Sequence, residues 1–197
     1  MKMIVFTGGT LGGKTTIIKN LKRLFKDEII VIPEISSLLF ENEFKRPKKW
    51  TIEWHYLLQR AILNRQKKLE EEAKIDAKNK DVKLIICDRG MLDPSAYLKG
   101  GLNELVQEFG INEEKSLMRY DQIIHLVSLS VLNPKLYNKF VSTNPHRIET
   151  VLEAREQEEG SLNAWKNHHN RIILSGELKE NMKRILEIVK PYLEVVV

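Results

Sequence analysis

A chain of 197 residues that is 42% hydrophobic and 30% charged, with ten Gly and six Pro, can bury roughly 70% of its unfolded surface in one domain and leaves no room for a long disordered tract. Its one cysteine, Cys87, excludes an internal disulfide framework and a cysteine-built zinc site. The net charge of +5 suits anionic partners, among them phosphorylated ligands, nucleic acid and acidic lipid, without choosing between them.

The N-terminus, MKMIVFTGG, offers one lysine and an apolar run of four residues, too short for the core of a signal peptide. No stretch approaches the roughly 18 apolar residues of a membrane span, so a cytoplasmic location is expected. The apolar run itself, Met3–Thr7, reads as the first of five short, β-branched strands. The others are Ile29–Ile32, Leu84–Cys87, Ile123–Val127 and Ile172–Leu174. Each is continuously hydrophobic, the pattern of parallel strands covered on both faces.

Directly after the first strand stands Gly8-Gly9-Thr10-Leu11-Gly12-Gly13-Lys14-Thr15-Thr16, which fits G-x-x-x-x-G-K-[ST] and opens a helix over Thr15–Phe25. Glycines allow successive backbone N–H groups to turn inward around phosphate oxygens, and the helix N-terminus adds partial positive charge. Lys14 is placed to reach β- and γ-phosphates, and the Thr15 hydroxyl to ligate Mg²⁺. These residues predict a nucleoside triphosphate site, for ATP or GTP.

The second strand runs out in Pro33-Glu34. In an open α/β sheet the strand C-termini face the ligand crevice, so Glu34 is a candidate for the acceptor; it also suits the N-terminus of a helix over Ser36–Phe40. Lys45, Arg46, Lys48 and Lys49 read as a solvated loop, with a lipid head-group patch as the sharper alternative. Trp50–Lys80 reads as a long helix with Trp54, Leu57, Leu58, Ala61, Ile62 and Leu69 on one stripe. Over Arg65–Lys83, seven basic and five acidic residues predict an exposed face with no function.

The third strand leads into Cys87-Asp88-Arg89. An acid at this point holds the hydration shell of magnesium in phosphate-loop proteins, and Arg89 carries a fixed positive fork into the same crevice. Cys87 should pack inside the sheet. Between the fourth and fifth strands, Arg147 and Arg155 are candidates for a lid that neutralises charge during transfer. For Arg155 a surface pairing with Glu158 or Glu159 is the competing reading. His146, His168 and His169 have no ligand-spaced acid and read as packing or surface residues. The N-K-x-D guanine motif, the transporter signature and any helix-turn-helix or RNP pattern are missing, so no specific nucleic-acid partner is expected.

Together with Pro33-Glu34, Cys87-Asp88-Arg89-Gly90, Asp93, Ala96-Tyr97, Tyr120-Asp121, Arg147-Ile148-Glu149, Trp165 and His168, the phosphate loop resembles the AAA-domain P-loop proteins grouped with the ribosylnicotinamide kinase part of NadR. That group is similar to the TRP-channel translocation-defect proteins, whose family properties are GTP and phosphatidic-acid binding. It is more distantly similar to thymidylate and deoxynucleoside kinases. The resemblance implies a nucleoside-kinase-like core in which Lys14 serves the phosphates, Asp88 and Arg89 the metal and acceptor, and Glu34 the acceptor hydroxyl. It departs from the thymidylate-kinase pattern at Gly90 and Leu98, where those enzymes carry an aromatic residue and a glutamine.

The combined expectation is one α/β domain over residues 1–197, a P-loop NTPase with a five-stranded parallel sheet in the order 2-3-1-4-5, helices on both faces and a lid containing Arg147. Its expected activity is Mg²⁺-dependent phosphoryl transfer from ATP or GTP to a small acceptor. The alternative is a nucleotide-dependent switch that engages an anionic lipid or a protein.

Overall fold

A computed structural model describes residues 1–45, 47–142 and 149–193. Its sheet contains β1 (Lys2–Thr7), β2 (Ile29–Ile32), β3 (Leu84–Asp88), β4 (Gln122–Leu126) and β5 (Arg171–Leu174), all parallel and in the order β2-β3-β1-β4-β5. Parallel neighbours need crossovers, and these are helical. The helices are α1 (Lys14–Phe25), α2 (Ile35–Asn42), α3 (Ile52–Asn79), α4 (Gly101–Phe109), α5 (Glu113–Leu117), α6 (Leu129–Leu132), α7 (Pro134–Ser142), α8 (Val151–Ala164) and α9 (Leu178–Leu193).

Alternate residues of each strand feed two separate cores. Met3, Val5, Ile85 and Ile123 point toward α2, α3 and α4, with Trp165 and Tyr120 filling the same layer. Ile4, Phe6, Ile86 and Ile124 point toward α1 and α9, against Ile17, Leu21, Ile185 and Val189. Cys87 is fully buried, and burial pushes its thiol well above the usual range. Coverage is incomplete at the edge, where Ile173 of β5 is 46% exposed; β5 has a neighbour on one side only, so the expectation of two covered faces fails there.

On α3, Leu58 and Leu63 are buried as the helical period requires, whereas Leu57 is 60% exposed and lies outside the stripe predicted for it. The charged face of α3 also corrects the sequence reading. Glu70 is fully buried, receives Arg119 Nε at 2.7 Å, Tyr120 Oη–H at 2.6 Å and Gln66 Nε2 at 2.8 Å, and so joins α3 to the turn before β4. Removing one partner of a buried pair strands the other charge in the interior. Arg119→Ala is therefore expected to lower unfolding free energy by about 3–5 kcal/mol, measured by urea denaturation.

The register decides what meets at the top of the sheet. Asp88 stands opposite Phe6, and His125 opposite Thr7, so the ends of β3 and β4 flank the point where β1 gives way to the glycine-rich loop. No helix among the described residues is long and apolar enough to cross a membrane.

Candidate active site

The loop between β1 and α1 lies directly on the end of β4. A Cβ at Gly8 would meet the Leu126 carbonyl oxygen at 2.1 Å, and one at Gly12 would meet it at 2.6 Å. Gly8 and Gly13 also have φ values of 116° and 87°, a region that glycine enters without strain. Leu11 takes φ 60° without that freedom. Gly13 starts α1 with no side-chain cap, which leaves the first N–H groups of the helix available to an anion. Thr15 and Thr16 are exposed on that open end.

Lys14 is buried and donates from Nζ to the carbonyl oxygens of Gly8 at 2.7 Å and Gly9 at 2.8 Å. Burial, reinforced by the Arg89 guanidinium, lowers its pKa to about 8. An incoming phosphate would reverse both effects, because it supplies opposite charge where the ammonium has only carbonyls. At the end of β3, burial raises the Asp88 carboxyl to about 6 against the opposing pull of Lys14. Asp88 Oδ1 is buried without a hydrogen-bond partner, while Oδ2 receives the Thr15 hydroxyl at a long 3.4 Å. An unpartnered carboxylate oxygen beside a threonine hydroxyl at the mouth of a phosphate loop is a donor set that fits Mg²⁺, which takes few protein ligands and completes its shell with water and phosphate. No group of three or more His, Cys, Asp or Glu suited to a metal occurs among the described residues.

Arg89 follows Asp88 with φ 77°, a conformation that costs a non-glycine residue about 1–3 kcal/mol and persists only where its surroundings enforce it. Here its N–H donates to Phe6 O at 2.9 Å and its carbonyl receives Gln66 Nε2 at 3.2 Å. The turn aims the guanidinium into the cleft, where Nε donates to Glu34 Oε1 at 2.7 Å and Nη1 to Gly8 O at 3.3 Å. Asp93 Oδ1 lies 3.6 Å from Nη1. Burial pushes the Glu34 carboxyl up, but Arg89, Ser37 and Lys14 outweigh it and hold it at about 2. Glu34 is the residue before α2, yet its carboxylate caps no backbone N–H. Its partners are Arg89 and the Ser37 hydroxyl, at 2.7 Å each.

Lys14, Glu34, Asp88 and Arg89 therefore converge from three strand ends, as the sequence predicts. Lys14, Glu34 and Arg89 border a cleft of about 1870 Å³ that is also lined by Phe40, Trp50, His55, Leu58, Gln59 and Ile62, with Asp88 buried behind Lys14 and Thr15. Gln59 is buried there, and its Oε1 has no hydrogen-bond partner. Gly90 owes its identity to packing, since a Cβ would meet the Trp165 ring and Val5 Cγ2 at 3.0 Å.

Other candidates fall elsewhere. Arg147, His146 and Arg46 lie outside the described residues. Arg155 Nε donates to Ser130 O at 3.0 Å; the competing surface pairing does not involve Glu158, which lies on the buried side of α8 and is bonded to Gly9 N and His125. His168 is buried between Tyr120 O and Asn170, a packing residue as expected. Three functional neighbours escaped sequence analysis as site residues. Asp93 accepts from the Thr7 hydroxyl, from Gly90 N at 2.7 Å and from Trp165 Nε1 at 3.3 Å, and so braces the Arg89 turn. Glu158 and His125 lie beneath the loop itself.

With this geometry in place, the relatives are informative. Residues 3–181 match the AAA domain family. The chain belongs to that family. It is also 26% identical over 196 residues to the thymidylate kinase of Campylobacter jejuni subsp. jejuni serotype O:23/36 (strain 81-176), covering 97% of this chain and 99% of the relative. The structure of deoxyadenosine kinase from M. mycoides with bound dATP superposes with a TM-score of 0.64 at 16% identity, covering 96% of this chain and 100% of that one. The AAA-domain chain thus has the phosphate-loop nucleoside kinase fold over nearly its whole length.

Proposed function

We propose that this AAA-domain protein is a Mg²⁺-dependent phosphotransferase that moves the γ-phosphoryl group of ATP or GTP to a hydroxyl of a small, nucleoside-like acceptor. The observation that carries the reading is that the phosphate loop and the Glu34–Arg89 pair open into one cleft, with an aromatic and amide wall opposite. Kinases of a nucleotide and of a nucleoside among its relatives support the same class of reaction.

In this reading the triphosphate oxygens replace the Gly8 and Gly9 carbonyls as partners of Lys14, while the loop amides and the start of α1 hold the remaining oxygens. Thr15 and Asp88 would hold Mg²⁺, which when bound neutralises charge on the β- and γ-phosphates. Phe40 and Trp50 offer faces for a flat heterocycle, and Gln59 Oε1 accepts a hydrogen bond from it. The acceptor oxygen attacks the γ-phosphorus, the bond to the β-bridging oxygen breaks, and a nucleoside diphosphate leaves. The hydroxyl proton passes to Glu34. A carboxyl held near 2 is a weak base toward a free alcohol, but the proton becomes strongly acidic once the new P–O bond forms, so a late transfer needs no stronger one. Arg89 orients that carboxylate and balances its charge.

The reading is tested by incubating the protein with Mg²⁺ and γ-labelled ATP or GTP across a panel of nucleosides and nucleoside monophosphates. Label in a phosphorylated acceptor supports it; label in inorganic phosphate alone refutes it. Asp88→Asn keeps the shape of the strand end and removes the charge. It is expected to raise the Mg²⁺ concentration for half-maximal activity by about tenfold or more, the effect of losing one charge-assisted contact, with the circular-dichroism spectrum unchanged. Superimposable Mg²⁺ titrations would exclude Asp88 from metal binding.

A further inference from the structure

The peptide group joining Gly8 to Gly9 is held at both of its ends. Its carbonyl oxygen receives Lys14 Nζ at 2.7 Å and Arg89 Nη1 at 3.3 Å. Its N–H donates to Glu158 Oε2 at 2.5 Å. Glu158 comes from α8, 149 positions along the chain, and is 2% exposed. Its other oxygen receives Nε2–H of His125, itself fully buried on β4, at 2.7 Å. Burial raises the carboxyl of Glu158, but the His125 hydrogen bond and charge, with the Gly9 and Ser128 backbones, outweigh it and keep the group below its ordinary value. A Cβ on Gly9 would lie 2.6 Å from Glu158 Oε2, so glycine at this position is what lets the carboxylate reach the amide.

We infer that Glu158 is a positioning residue for the phosphate loop, locking the Gly8–Gly9 peptide in the orientation that turns its carbonyl toward Lys14 and Arg89. Two adjacent glycines give this peptide little intrinsic resistance to rotation. Rotated by half a turn, it would present its N–H to two cations and its carbonyl to a buried carboxylate, and every contact would change from attractive to repulsive. When a triphosphate draws Lys14 away, the carbonyl loses its nearest partner, and Glu158 at the opposite end keeps the loop in place. The carboxylate thus acts as an internal anion that organises the loop before the ligand's own anion arrives.

The inference rests on the loop being a triphosphate site, and one experiment separates the two claims. In the ligand-free protein, Gly9 is expected to show a downfield amide proton and slow exchange, and Glu158→Gln is expected to abolish both while sheet amides keep their protection. Gln has one accepting oxygen where Glu has two, and its N–H₂ only donates, so it cannot accept from both Gly9 and His125. Titration with Mg·ATP and Mg·GTP is then expected to give a Kd about ten- to a hundredfold weaker in Glu158→Gln, the range for one hydrogen bond to a charged group. Ile185→Ala, a core truncation on α9, should lower the unfolding midpoint at least as much and leave that Kd within threefold. An unmoved Gly9 resonance, or a Kd unchanged in Glu158→Gln, overturns the positioning role while the site reading stands. A parent protein that shows the Gly9 signature but binds neither nucleotide overturns the triphosphate site, and the inference falls with it.

Discussion

Lys14→Ala is expected to weaken binding of Mg·ATP or Mg·GTP by about a hundredfold or more and to remove turnover. The ammonium is buried at the foot of the loop, bonded to two carbonyls that a phosphate oxygen would displace. Its pKa of about 8 leaves it mostly protonated at neutral pH and free to gain charge density from the ligand. The neighbouring cation Arg89 is committed to Glu34, Asp93 and Gly8 O and is not placed to substitute. Each hydrogen bond between charged groups contributes roughly 1.5–3 kcal/mol, and in the proposed site Lys14 would bond to both the β- and γ-phosphates. Isothermal titration checks the affinity. A Kd within a few-fold of the parent would mean that the loop does not bind a triphosphate through this side chain.

The second large effect is expected at Glu34. Glu34→Gln preserves volume and can still accept a hydrogen bond, but it removes the proposed destination of the acceptor proton and the charge that balances Arg89. Phosphoryl transfer should fall by about 10²–10⁴-fold, while triphosphate affinity stays within several-fold because the loop amides, Lys14 and Thr15 are untouched. Separate measurement of single-turnover transfer and of equilibrium nucleotide binding distinguishes these effects. Equal loss in both would assign Glu34 to the architecture of the cleft; no loss in either would return it to a helix-end charge.

The parts of this site that were legible in the sequence are those in which chemistry and local structure coincide. Gly8 to Thr16 sits between a strand and a helix, and Asp88 and Glu34 follow apolar strands, so parallel topology alone brings them to one edge. The sheet order β2-β3-β1-β4-β5 matches the expectation. What could not be read depends on long-range burial. Glu70 looks like one charge in a mixed run until Arg119 and Tyr120, near the start of β4, close over it. Glu158 sits among Ala154, Ser161 and Ala164 on the buried side of α8. An acid within a stripe of small residues was the one available signal, and it is easily mistaken for a surface pair with Arg155. His125 was hidden in the strand predicted over Ile123–Val127, whose other residues are apolar.

The most direct test of the central claim is the stoichiometry of the reaction, followed by ³¹P NMR with Mg·ATP or Mg·GTP and the best acceptor of the nucleoside panel. The proposed transfer, with Lys14 and the Glu34–Arg89 pair facing one cleft, predicts one phosphomonoester for each nucleoside diphosphate formed, with no accumulation of free phosphate and with both products lost in Lys14→Ala. Diphosphate appearing with an equal amount of inorganic phosphate, whatever acceptor is present, would contradict it.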